Sequence, residues 1–184
     1  PSAQALSKAG AKPTPLHNTC AGKHTAMLAL CVHHQWPTEN YLAVDHPVQH
    51  LILGTVGRMV GLPRDDIKVA IDGCGAPLYA ISLYGLARAF GRIASASEGA
   101  EHRVATAIRS HPDYVSGTRR DELELHRAIP GLMGKAGAES VYAVGLSAMS
   151  VQTSYDQVIM QGKYEADAGR YALAFRIVSL GLMP

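Results

Sequence analysis

The spacing of apolar positions divides the chain into a helical part and a later part with short β-branched runs. Apolar residues recur at three- and four-residue intervals in five segments, which predicts helices at 23–34, 47–60, 77–92, 101–110 and 120–128. Strands are predicted at 67–71, 133–135, 140–147 and 155–161, with a closing helix at 167–180. Helices followed by antiparallel strands are typical of an α+β domain. We therefore expect one α+β domain over residues 17–184, after an irregular lead-in over residues 1–16.

The composition excludes several classes of protein. Of the 184 residues, 47% are apolar and 17% are charged, and the formal net charge is +2. This balance gives no basis for binding nucleic acid or a membrane surface, and no apolar run reaches the roughly 18 residues that a membrane span requires. Three cysteines are too few for a disulfide framework, which predicts a reducing, cytoplasmic location. Cys31 lies in an apolar run and is predicted to be an inert core thiol.

Two short motifs place a cysteine in a glycine-containing turn among polar neighbours. One motif is HNTCAGKH at 17–24 and the other is DGCGAP at 72–77. Cys20 and Lys23 are three residues apart at a predicted helix start, so their side chains share a face. The helix N-terminus and the nearby ammonium both favour a thiolate. If the two turns meet, Cys74 adds a second soft thiolate, and such a pair suits zinc.

Other residues of these motifs are candidate ligands or neighbours of ligands. The Lys23 amine can bind a metal only after losing a proton from a pKa near 10.4, which burial beside a cation lowers. His17, His24 and Asp72 are ligands or contact the ligands in this interpretation. Spacing alone leaves open a metal site, a reactive centre, or two unrelated turns with incidental thiols.

Lys135 is a separate candidate, in the run Gly134-Lys135-Ala136-Gly137 at a predicted strand end. A lysine between small residues can approach a ligand closely. The alternative is an ordinary solvated lysine at the end of a strand.

Five stretches together resemble the serine-type, zinc-associated L-asparaginase II family, whose members have the serine β-lactamase fold. The stretches are HNTCAGKHTAML at 17–28, YLAVDHPVQ at 41–49, DGCGAPLY at 72–79, HPDYVSGT at 111–118 and GKAGAESVYAVGL at 134–146. The resemblance implies a partial β-lactamase-like fold and hydrolysis of L-asparagine to L-aspartate and ammonia through an acyl-enzyme.

The resemblance also implies roles for individual residues. The family's zinc ligands fall on Cys20, Lys23 and Cys74, with His24 and Asp72 close to the site. The family's strand-end lysine, the counterpart of the K-T-G lysine of β-lactamases, falls on Lys135 and is implied to be catalytic.

One family motif is absent from the chain. The family's nucleophile is the serine of a Ser-x-x-Lys pair, and no serine or threonine here has a lysine three positions later. We consider three explanations: the chain is a fragment whose serines lie upstream, it is a non-catalytic zinc-binding homologue, or it is an amidase with Cys20 as nucleophile beside Lys23. A shortened domain exposes apolar surface and unpaired strands, so we expect a homodimer.

Overall fold

The computed structural model describes residues 3–137 and 141–147, which form helices and short antiparallel strands. The helices are α1 (Ala3–Lys8), α2 (Ala21–His33), α3 (Pro47–Val60), α4 (Leu83–Ser95), α5 (Gly99–Ser110), α6 (Asp113–Ser116) and α7 (Asp121–Ala128). The strands are β1 (Val69–Ile71), β2 (Pro77–Tyr79), β3 (Leu132–Ala136) and β4 (Tyr142–Leu146). Short 3₁₀ helices lie at Pro15–His17 and Arg64–Asp66. This mixture agrees with the predicted α+β class.

The chain divides into two compact units, the first ending at Ser82 and the second beginning at Leu83. Helix α1 lies in the first unit at residues predicted to be irregular, so that part of the prediction is wrong. Among the described residues, no helix combines the length and the apolar character that a bilayer crossing requires.

Helices α2 and α3 build the core of the first unit. The buried core residues are Met27, Cys31, Val48 and Ala76. Cys31 is fully buried, which confirms that it is a core thiol. Helix α3 has the bounds that the sequence predicts, because Pro47 occupies its first turn and Gly61 ends it with a left-handed φ of 76°.

The predicted helix over 77–92 is wrong at its N-terminal end. Residues Pro77–Tyr79 form β2, which pairs antiparallel with β1, and the helix begins only at Leu83. A tight turn explains the difference: the Asp72 N–H donates to the Ala76 carbonyl at 2.8 Å, and Gly75 adopts a φ of 85°. Proline is tolerated at the first position of a strand, where its missing N–H costs little.

In the second unit, α4 and α5 pack against the β3–β4 hairpin. The buried core residues are Ala94, Ala105 and Met133, with Phe90, Ile93 and Ile108 packed around them. The strands pair antiparallel in a register that runs from Leu132 opposite Leu146 to Ala136 opposite Tyr142. These strands confirm the predictions for 133–135 and 140–147. The predicted strand at 155–161 and helix at 167–180 lie outside the described residues.

Helix α7 covers one edge of β3 with two side chains. The Gly134 N–H donates to His126 Nε2 at 3.1 Å, and the Ala136 N–H donates to Glu122 Oε1 at 2.6 Å. Alternate residues of a strand direct their N–H groups to the same edge. His126 and Glu122 lie one helical turn apart, so they match this spacing.

Candidate functional site

The start of α2 positions Cys20 and Lys23. Cys20 is the N-cap residue of this helix, and Lys23 lies in the first turn. The Cys20 N–H donates to Asn18 Oδ1 at 2.7 Å, which fixes the chain just before the helix. The helix begins two residues earlier than predicted, so Lys23 is held in regular helix.

The turn between β1 and β2 positions Asp72 and Cys74. Asp72 Oδ1 accepts the Gly73 N–H at 2.7 Å, and the Asp72 carbonyl accepts the Gly75 N–H at 2.9 Å. The left-handed conformation of Gly75 allows this tight turn. The turn therefore holds both side chains on a short, hydrogen-bonded loop.

The two cysteine-containing turns meet around the Asp72 carboxylate. Lys23 Nζ lies 2.8 Å from Asp72 Oδ2, and the Cys74 thiol donates to the same oxygen at 3.4 Å. One potential ligand atom from each of Cys20, Asp72 and Cys74 lies within 4.8 Å of the other two. All three residues are half-buried, so the cluster lies near the surface of the first unit.

The charges of this cluster depend on one another. Burial raises the pKa of the Cys20 thiol, as does its hydrogen bond with Cys74, and together they outweigh the opposing effect of the Lys23 ammonium. Burial lowers the pKa of Lys23, but the hydrogen bonds with Asp72 and Cys74 raise that pKa by a larger amount. The net shift is therefore upward. The hydrogen bond from Lys23, helped by the Gly73 N–H, lowers the pKa of Asp72. Without a metal, the cluster therefore favours a thiol at Cys20, an ammonium and a carboxylate.

The donor set fits a zinc ion. Zinc binds thiolate sulfur at about 2.3 Å, which puts two sulfurs of a tetrahedral site about 3.8 Å apart. The Cys20 and Cys74 sulfurs lie within 4.8 Å of each other, so a small movement of their side chains brings them to that spacing. The Asp72 carboxylate already lies beside them. The Lys23 amine can join only by leaving Asp72 and losing a proton.

The two predicted histidines have other partners. His24 Nδ1 and the Tyr41 hydroxyl lie 2.6 Å apart, and the Tyr41 carbonyl accepts from Gln49 Nε2 at 2.8 Å. His17 is exposed, and its Nδ1 accepts the Thr14 N–H at 2.9 Å. Across the described part of the chain, neither ring belongs to a ligand cluster like the one around Asp72. Their predicted contacts with substrate or ligands stay predictions.

Lys135 belongs to the second unit and lies on β3. Its side chain is exposed, and Nζ lies 3.5 Å from Oε1 of Glu122, which is fully buried. The amine also donates to the Ala136 carbonyl. The lysine is therefore held near one side of its strand.

Comparison with known families shows the family of the chain. The sequence profile of the family described as L-asparaginase II matches residues 1–166. The chain belongs to the L-asparaginase II family. No curated protein matches the chain.

Every predicted site residue of this L-asparaginase II family member lies within residues 1–166, the part of the chain that matches the family. That part also includes residues 1–16, for which the sequence predicts an irregular lead-in. The structure brings Cys20, Lys23, Asp72 and Cys74 together within one unit.

Two residues that contact predicted site residues of this L-asparaginase II family member are not singled out by the sequence. They are Glu122, which lies beside Lys135, and Tyr41, which lies beside His24. Glu122 lies in an acidic first helical turn, between Asp121 and Glu124, and nothing in the sequence distinguishes it from them. Tyr41 begins the stretch at 41–49, one of the five that carry the family resemblance, and that position is the signal by which it could have been found.

Proposed function

We propose that this protein hydrolyses the side-chain amide of L-asparagine to L-aspartate and ammonia. Family membership over residues 1–166 supports an asparaginase-type amidohydrolase acting on a small molecule. The observation that carries the proposal is the convergence of Cys20, Lys23, Asp72 and Cys74, because two motifs of the resemblance meet there in the folded unit.

The same cluster supports zinc as the resident metal. Cys20 and Cys74 supply the thiolates, and Lys23 is the third ligand that the resemblance implies. Asp72 is the alternative third ligand, since its carboxylate already lies within the cluster. Two thiolates neutralise the charge of zinc and make it a weak Lewis acid. The metal would therefore order the site and orient a ligand.

Lys135 is the proposed strand-end lysine of a partial β-lactamase-like fold. Its exposed ammonium suits the carboxylate of an amino-acid substrate, since opposite charges and hydrogen bonding then coincide. We propose that this lysine, which the resemblance implies to be catalytic, acts by binding the substrate carboxylate. Cytoplasmic location and a homodimer remain part of the proposal.

The nucleophile is proposed to be a serine outside these 184 residues, since no serine or threonine here precedes a lysine by three positions. Cys20 is the alternative, because it does precede Lys23 by three. A nucleophilic cysteine needs a lowered pKa, whereas the pKa of Cys20 is raised by burial and by Cys74. The serine is therefore the favoured nucleophile.

The test is an assay of ammonia release by the native protein, with L-asparagine and L-glutamine as substrates. An intact mass above 19.6 kDa together with asparagine hydrolysis is the expected result. A native protein that binds zinc without hydrolysing either amide would favour the non-catalytic homologue. A covalent adduct on Cys20 with a reactive substrate analogue would instead favour the cysteine nucleophile.

A further inference from the structure

The buried carboxylate next to Lys135 is not explained by any of the sequence motifs. We propose that Glu122 is a positioning residue, which fixes the Lys135 ammonium against β3 in the orientation that receives substrate. This inference rests on the proposed role of Lys135 in binding the substrate carboxylate.

A single oxygen of Glu122 contacts two consecutive residues of β3. Oε1 accepts the Ala136 N–H at 2.6 Å and lies 3.5 Å from Lys135 Nζ. The same amine donates to the Ala136 carbonyl. The head of the lysine side chain is therefore bound to the strand that carries it, through one carboxylate and one peptide group.

Glu122 is fully buried, so a negative charge on it requires a nearby partner. The residue is 0% exposed, and a buried carboxylate is strongly unfavourable unless its charge is paired and hydrogen-bonded. An uncharged glutamine would accept the Ala136 N–H without that cost. The negative charge is favoured by the Lys135 ammonium, and by the position of Glu122 in the first turn of α7.

His126 fixes the helix that carries Glu122. Its Nε2 accepts the Gly134 N–H at 3.1 Å, so Nδ1 carries the ring proton and donates to the Glu122 carbonyl at 2.6 Å. Side chains from two successive turns of α7 thus bind alternate residues of β3. The carboxylate is held at a fixed height along the strand, which a positioning role requires.

The experiment replaces Glu122 by Gln in the native protein, with Glu124→Gln as the matched control. Glutamine retains an acceptor for the Ala136 N–H and removes the charge beside Lys135. Glu124 lies on the same helix but pairs with Arg127 at the surface. For Glu122→Gln we expect KM for L-asparagine to rise about tenfold with kcat within about twofold, the pattern of lost binding. The control should match the wild type.

A second measurement does not depend on activity. Acetylation of individual lysines is followed by mass spectrometry at one pH, with exposed Lys68 as the internal reference. An amine reacts only when it is released and deprotonated, so Lys135 should react more slowly than Lys68 in the wild type. In Glu122→Gln its rate should rise about fivefold, because a charge-assisted hydrogen bond is lost.

Each outcome has a defined meaning. An unchanged Lys135 rate in folded Glu122→Gln, even with a lowered Tm, would make Glu122 merely structural and overturn the proposal. If the variant does not fold, equal rates for Lys135 and Lys68 in the wild type overturn it. Faster acetylation in a protein that hydrolyses no asparagine would uphold the positioning role and refute the proposed function. A rise in KM with no change in acetylation also contradicts positioning.

Discussion

Lys23 Nζ and Asp72 Oδ2 lie 2.8 Å apart, although the two residues are 49 positions apart in sequence. This ion pair joins the first turn of α2 to the turn that follows β1. Both side chains remain partly exposed, at 42% and 39%, so solvent screens their attraction. The pair is therefore more important for arranging the cluster than for stabilising the fold.

The ion pair predicts how the stability of the metal-free protein depends on pH. The pKa of Asp72 is lowered by Lys23, so its contribution is present above the unfolded-state pKa of about 3.9 and is lost as pH falls further. The pKa of Lys23 is raised, so its contribution is present below about pH 10.4 and is lost at higher pH.

Asp72→Asn should remove the acid dependence and weaken the alkaline one, because Cys74 and Cys20 also raise the pKa of Lys23. The measurement is denaturant unfolding in the presence of a chelator at acidic, neutral and alkaline pH. Asp45→Asn is the control, because Asp45 is exposed. If the free energy of unfolding falls equally at acidic pH in Asp72→Asn and wild type, the acid dependence does not come from Asp72.

Zinc binding should depend on the two half-buried cysteines and not on the third. Cys20→Ser and Cys74→Ser each replace a thiolate by a hydroxyl, which is a poor zinc ligand, and should lower the bound zinc at least tenfold. Cys31→Ala is the control, since Cys31 is a buried core residue. The zinc content of each purified variant is measured by atomic emission. Full zinc occupancy in both serine variants would refute the site.

Gly145→Ala should destabilise the second unit. A Cβ at this position would lie 2.7 Å from both Ala94 Cβ and the Phe90 carbonyl oxygen, so α4 and β4 would have to separate. Overpacking of this kind costs about 1–3 kcal/mol. The change is measured as the free energy of unfolding in urea.

Gly22→Ala is the matched control for this substitution. A Cβ at Gly22 meets nothing within 4 Å, and the residue lies within α2. Alanine there should be neutral or stabilise the protein by up to about 0.5–1 kcal/mol, because glycine is the poorer helix former and Gly22 lies in the first turn. Equal effects of the two substitutions would contradict the close packing at Gly145.

Tyr142 should make the protein sensitive to alkaline pH. Burial, and then the charges of Glu122 and Asp121, raise the pKa of Tyr142 to about 12. An unfolded tyrosine ionises near pH 10, so the folded state loses stability as pH rises from about 10 to 12. Tyr142→Phe should shift alkaline unfolding to higher pH, as measured by circular dichroism.

The hydroxyl of Tyr142 also allows a test at neutral pH. Its oxygen is buried, and it neither accepts nor donates a hydrogen bond among the described residues, 3–137 and 141–147. Removing an unpaired buried hydroxyl costs little, so Tyr142→Phe should leave Tm unchanged or raised. Tyr84→Phe is the exposed control. A large loss of Tm in Tyr142→Phe would show that the hydroxyl has a partner.

Local signals in the sequence predicted α3 and the two strands of the second unit. Pro47 and Gly61 determine the ends of α3 through their own backbone preferences, which need no tertiary contact. The error at Pro77 has the opposite origin. Proline suits both a helix start and a strand start, and the turn formed by Asp72 and Gly75 decides between them.

The candidate site was predictable in its residues but not in its contacts. The sequence singles out Cys20 and Cys74 by their polar settings and Lys23 by its spacing from Cys20. Their meeting is a long-range event that spacing does not encode. Glu122 could not be predicted at all. Its role depends on the place of α7 beside β3, whereas its sequence neighbourhood is an ordinary acidic helix start.

His126 and Glu122 occupy the edge of β3 that faces away from β4. Both N–H groups that a new strand would need at Gly134 and Ala136 are already bound by helix side chains. A further strand can therefore join this sheet only beside β4. The order of strands in any larger sheet would therefore depend on two side chains from successive turns of α7.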